Sequence, residues 1–144
     1  MSICTFFGHR DCSDAIKPMI QKAIKALIDT CGVKYFYVGN HGRFDVLVLQ
    51  ALRELQKDYT DLSYSVVCSS LTKKMIYYNE NETCIPEGVE AVPKRFAISF
   101  CNQWMLKKAS YVVAYVTRTW GGAAQFVQKA EKAHKTVIYL SSET

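Results

Sequence analysis

The chain has no apolar run approaching the roughly 20 residues needed to cross a bilayer. It has no CxxC pair, and its three histidines, His9, His41 and His134, are far apart. The ligand spacings of a structural zinc site are therefore missing, and no metal is expected. The six cysteines (Cys4, Cys12, Cys31, Cys68, Cys84, Cys101) are scattered singly, several of them inside apolar runs. That distribution reads as reduced thiols rather than a disulfide framework. No basic segment leading into an apolar stretch precedes the first strand-like run, so no secretory leader is read and a cytoplasmic location is expected. Basic charge is not massed in a block either. Lys17, Lys22, Lys25, Lys129, Lys132 and Lys135 are spread along helix-like segments, as on solvated helix faces. The formal charge of +5 favours an anionic ligand, but its dispersal and the lack of recognition-module signatures argue against nucleic acid.

What is present is ordinary globular material. With 144 residues, 49% hydrophobic and 22% charged, the chain suits one domain, residues 1–144, with a buried core. Residues 3–7 read as a short buried strand, and 13–30 as an amphipathic helix with Ile16, Ile20, Ala23, Ile24 and Leu27 on one face and Pro18 tolerated in its first turns. Residues 34–38 read as a second strand, 39–42 as a turn, and 44–56 as a helix carrying Val46, Leu49, Leu52 and Leu55. A third strand is expected over 62–68, and the polar stretch 69–87, which has no period, reads as an excursion loop or lid. Then come a helix at 96–108, a strand at 111–116, a helix at 123–133 and a last strand at 136–140. This alternation implies an α/β fold with a mostly parallel, doubly wound sheet of five strands and helices on both faces.

In the common doubly wound orders the first strand lies beside the strand at 111–116, and ligands bind at that reversal, outside the carboxyl ends of the strands. Two loops flank it. Thr119-Trp120-Gly121-Gly122-Ala123 leads from a strand into a helix, where glycines let backbone N–H groups approach a phosphate at the positive end of the helix dipole. A strand-to-helix turn also uses glycine for steric reasons alone. Gly8-His9-Arg10 faces it, with Arg10 suited to clamp a phosphate and His9 to donate to it; equally, Arg10 pairs with Asp11 or Asp14 and His9 caps the loop. Gly39, Asn40, Phe44 and Asp45 occupy the same edge after the second strand. There Asp45 serves either as a helix-dipole partner or as a ribose ligand, and Asn40 either as a ligand or as a left-handed turn residue. Arg95 and Asn102 belong to the helix before the glycine pair, in which Trp104 and Met105 read as core beside Phe96 and Phe100. Trp120, on the turn itself, offers a surface for a base or ribose.

The pieces Thr5-Phe6-Phe7-Gly8-His9-Arg10, Phe36-Tyr37-Val38-Gly39-Asn40 with Phe44-Asp45, Arg95-Phe96-Ala97-Ile98-Ser99, Asn102-Gln103-Trp104-Met105-Leu106 and Thr119-Trp120-Gly121-Gly122-Ala123-Ala124, in that order, resemble the SLOG superfamily. This is the Rossmann-like group that includes the Lonely Guy phosphoribohydrolases, and the likeness is to its small single-domain members. The resemblance implies a nucleotide or nucleotide-derived ligand with its phosphate on Gly121-Gly122. Laid on the hydrolase motif PGGxGTxxE, Trp120 falls at the proline, Ala124 at the third glycine, Gln125 at the threonine and Gln128 at the glutamate. The arginine-lysine pair of the preceding helix falls on Cys101-Asn102. An amide in place of the glutamate supplies much less stabilisation to an oxocarbenium-like state.

The expectation is thus a cytoplasmic binder, without catalytic residues or cofactor, that senses or sequesters a small nucleotide or nucleotide-derived ligand such as an ADP-ribose-derived signalling molecule, and self-associates through helices beside the site and the segment at Tyr77-Tyr78. The second reading is a nucleotide or nucleoside N-glycosidase using another carboxylate, Asp45 or Glu131. A third is single-stranded nucleic-acid binding. Cys101, inside an apolar helical run, reads as inert filling rather than a nucleophile.

Overall fold

A computed structural model describes residues 2–70, 78–79 and 81–140. Alternation along the first strand, β1 (Ile3–Gly8), sets the architecture. Phe6 points to one face and stacks on Phe36 at 6.0 Å between ring centroids, while Phe7 points to the other and stacks on Phe126 at 5.5 Å. Both faces of the strand are therefore buried, as in a sheet covered by helices on each side.

The strands are β1, β2 (Tyr35–Val38), β3 (Ser63–Val67), β4 (Thr83–Cys84), β5 (Tyr111–Tyr115) and β6 (Thr136–Tyr139), and the helices are α1 (Lys17–Cys31), α2 (Arg43–Gln56), α3 (Lys94–Lys108) and α4 (Gly122–Lys132). All strand pairs among the described residues are parallel, in the order β4-β3-β2-β1-β5-β6. Ile20, Ile24 and Leu27 of α1 and Phe44, Leu47, Val48 and Leu52 of α2 bury against Phe6, Phe36 and Val38. Met105 and Leu106 of α3 and Phe126, Val127 and Ala130 of α4 bury against Phe7, Val112 and Ala114 on the opposite face. No described helix is long and apolar enough to cross a membrane.

The doubly wound α/β fold is as expected, with six strands in place of five. The added strand, β4, is two residues long and lies inside the stretch read as a loop, pairing Thr83 with Val66 and Cys84 with Val67. A strand this short has no periodicity to read. It is held from outside by Glu82, a buried carboxylate that accepts hydrogen bonds from Arg53 (both at 2.7 Å), from the Tyr64 hydroxyl (2.7 Å) and from the Asn79 N–H (2.8 Å). Residues 71–77 and 80 of the expected lid, and the Tyr77 half of the expected self-association segment, lie outside the described residues. Phe96, expected in the apolar stripe of α3, is instead exposed under the Arg95 guanidinium. Trp104 is half-buried, edge-on to Tyr37 and beneath the Lys108 ammonium.

The reversal falls where the topology argument put it. Strand β1 pairs with β2 on one side and with β5 on the other, in register from Cys4 with Tyr111 to Gly8 with Tyr115. Gly8 ends β1 where a Cβ would stand 2.3 Å from the Phe44 ring, so the absent side chain lets the first turn of α2 close over the strand end.

Candidate functional site

Above the carboxyl end of β1 lies a crevice of about 490 Å³, walled by the β1–α1 loop, the starts of α2 and α3, and the β5–α4 loop. The two loops at the reversal are stitched together. The Thr117 N–H donates to His9 Nε2 at 2.9 Å, and the His9 N–H donates to the Tyr115 carbonyl at 3.3 Å. An imidazole that accepts at Nε2 and is neutral carries its proton on Nδ1. Burial lowers the His9 pKa, the Arg118 charge lowers it further, and Asp11 acts weakly the other way. Arg118 donates to Asp11 at 3.3 Å and lays its guanidinium over the Trp120 ring at 4.5 Å.

Two helices begin at this edge with the same backbone device. Gly42 before α2 has φ 94°, ψ 176°, and Gly121 before α4 has φ 100°, ψ 171°, a region that L side chains rarely adopt. Neither helix has a side-chain cap, so each offers first-turn N–H groups and the positive end of its dipole. Their surroundings differ. The start of α2 is filled by its own neighbour: Arg43 N–H donates to the Arg10 carbonyl at 2.8 Å, and a Cβ on Gly42 would meet Arg10 Cα at 2.7 Å. At α4, a Cβ on Gly121 or Gly122 would meet nothing within 4 Å.

Asp45, in the first turn of α2, is the crevice's perturbed carboxylate. Its Oδ2 accepts from the His41 N–H at 2.9 Å. Burial pushes its pKa up to about 7, against the opposing pull of the His41 N–H and the Arg10 charge.

Of the residues singled out from sequence, Gly8, His9, Arg10, Asp45, Arg95, Asn102, Gly121, Gly122 and Ala123 line this crevice together. Gly39 and Asn40 border a neighbouring hollow that shares Asp45. Phe44 is fully buried beneath Gly8 and supports the floor from below. Thr119 lines a shallow depression on the far side of the β5–α4 loop, together with Gln128 and Glu131. Trp120 is 67% exposed and stands outside the crevice lining, one ring face taken by Arg118. Cys101 is buried, and burial pushes its thiol up to about 11, which suits filling rather than nucleophilic attack.

Sequence reasoning missed Arg118, Ser99 and Gln125, which line the same crevice. Ser99 had a signal, since Arg95, Ser99 and Asn102 recur at the spacing of one helix face. Arg118 lies in a loop the topology argument had already marked, but its direction depends on Asp11, 107 residues away. Among the described residues no group of three His, Cys, Asp or Glu is positioned to hold a metal ion. No protein-family model matches the chain, and no curated protein matches it either.

Proposed function

We propose that this protein binds a small nucleotide or nucleotide-derived ligand, of the ADP-ribose-type signalling class, in the crevice above β1, and that it senses or sequesters it. The observation that carries this reading is the open, uncapped start of α4 at Gly121-Gly122, which lines one crevice together with Arg10, Arg95 and Arg118. Backbone donors, a helix dipole and forked guanidinium groups are what a phosphate needs. The opposing acids are Asp11, paired with Arg118, and Asp45, whose charge is partly suppressed at neutral pH. The sequence resemblance to the SLOG superfamily supports the same ligand class. On this reading the protein acts in the cytoplasm, needs no metal or cofactor, and self-associates through helices beside the site.

A binder is favoured over a hydrolase of the superfamily's type because Gln128, at the glutamate position of that motif, and Glu131 border the depression behind the loop, outside the crevice lining. One observation favours the enzymatic alternative. Asp45 lines the crevice with a pKa near 7, a value suited to acid–base work on an N-glycosidic bond.

Native mass spectrometry of gently purified protein, before and after incubation with AMP and with ADP-ribose, decides between them. An intact nucleotide retained and released unchanged supports binding. Free base and sugar phosphate accumulating with turnover, and lost in Asp45→Asn, mean hydrolysis. No retention of either compound contradicts both readings.

A further inference from the structure

A second hollow, of about 510 Å³, adjoins the crevice, and the two share Asp45 as a common wall. Its chemistry is different. Val46 and Leu49 of α2 and the ring of Tyr78 form its apolar surfaces, and Asn40, at the end of β2, supplies a side-chain amide. Val46 is 42% exposed, an aliphatic group left uncovered at the mouth. The two arginines that border the hollow are already engaged. Arg43 holds Asp14 through two hydrogen bonds, at 2.6 and 2.5 Å, and Arg53 holds Glu82 through two more, both at 2.7 Å. The crevice thus gathers cations toward an open helix start, whereas the hollow beside it is apolar and its cations are neutralised.

A nucleotide has the same two-part character, an anionic phosphate and a flat, weakly polar base joined by a hydroxylated sugar. Resting on the phosphate reading above, we propose that the hollow between α2 and Tyr78 is the subsite for the base. The ring packs against Val46, Leu49 and Tyr78, its polar edge meets the Asn40 side chain, which is hydrogen-bonded to Tyr78 while its buried Oδ1 has no partner, and Asp45 on the shared wall accepts from the sugar. Apolar walls with a few convergent polar groups are the usual make-up of such a subsite. Stacking on an aromatic tolerates any base, while the amide sets the preference.

The test compares ribose 5-phosphate with AMP by isothermal titration calorimetry. AMP is expected to bind the natural protein at least tenfold more tightly. Val46→Gln, which fills the mouth from an exposed helix position and leaves the core intact, and Tyr78→Ala, which removes the ring, should each bring AMP down to the affinity of ribose 5-phosphate without changing the latter. Arg118→Ala should weaken both compounds alike. Equal binding of AMP and ribose 5-phosphate by the natural protein, or an AMP preference that survives both hollow variants, overturns the base subsite and leaves the phosphate site standing. Failure of ribose 5-phosphate and AMP alike to bind overturns the phosphate reading and the subsite with it.

Discussion

Asp45 gives the site a pH dependence whose direction follows from its surroundings. An ordinary aspartate ionises near 3.8, whereas here burial moves the transition to about 7. Between these values the folded protein holds a proton that the unfolded chain has released, so stability falls as pH rises from 4 to 7 and levels off above. Replacing Asp45 by Asn keeps an acceptor for the His41 N–H and removes the buried charge. We expect Asp45→Asn to be more stable than the natural protein by about 2 kcal/mol at pH 8, less than the full shift implies because the amide must itself be buried. The gain should vanish near pH 4 in chemical denaturation. His9 acts in the opposite sense. Its pKa is lowered by burial and by the Arg118 charge, so the unfolded chain takes up a proton below pH 6.5 that the folded imidazole does not, and stability declines on acidification. Trp120 has a different task, since the guanidinium covering its ring makes it a positioning residue for Arg118. Trp120→Ala should weaken AMP binding about fivefold with no loss of thermal stability, and Trp120→Phe should restore most of it. A fall in melting temperature that tracks the loss of affinity would mean that the indole only stabilises the loop.

The two glycine-initiated helices allow a sharper comparison between elements. Gly122 lies inside α4 in open space and outside the left-handed region, so alanine there should stabilise the helix by up to about 1 kcal/mol. The same methyl group would stand at the face proposed for the phosphate, and Gly122→Ala is expected to weaken AMP about tenfold while raising the melting temperature. Unchanged affinity would show that the pair serves the turn alone. Gly42→Ala, with φ 94° and Arg10 Cα at 2.7 Å from the new carbon, should cost more than about 2 kcal/mol. The long elements were legible because their buried faces repeat. Ile20, Ile24 and Leu27 mark α1, and the unbroken run Val112-Val113-Ala114 marks a strand covered on both sides. Strand β4 was not, because two residues have no period and their anchor, Glu82, is a charged residue that sequence places at the surface until Arg53 and Tyr64 are seen around it. The glycine pair and the Gly8-His9-Arg10 loop were legible from topology. Arg118 was not, its orientation being decided by Asp11 and Trp120 together.

At the scale of the whole molecule, the order β4-β3-β2-β1-β5-β6 divides the helices into two pairs, and the crevice opens where the pairs part above β1. Each pair contributes what its own start allows: α2 the carboxylate of Asp45, α4 a helix start without a side-chain cap. The net charge of +5 favours anions over cations as ligands of the molecule. AMP affinity should therefore fall severalfold between low and high salt, less steeply than a polyanion's, because only a few charges take part. A steep dependence together with tight oligonucleotide binding would favour nucleic acid instead. The most direct test is a ¹⁵N–¹H NMR titration with AMP and with ADP-ribose. Saturable shifts of the Gly121, Gly122 and Ala123 amides together with those of Gly8 to Asp11 are the predicted result; no saturable shift with either compound, or shifts confined to residues away from the β1 crevice, would contradict it.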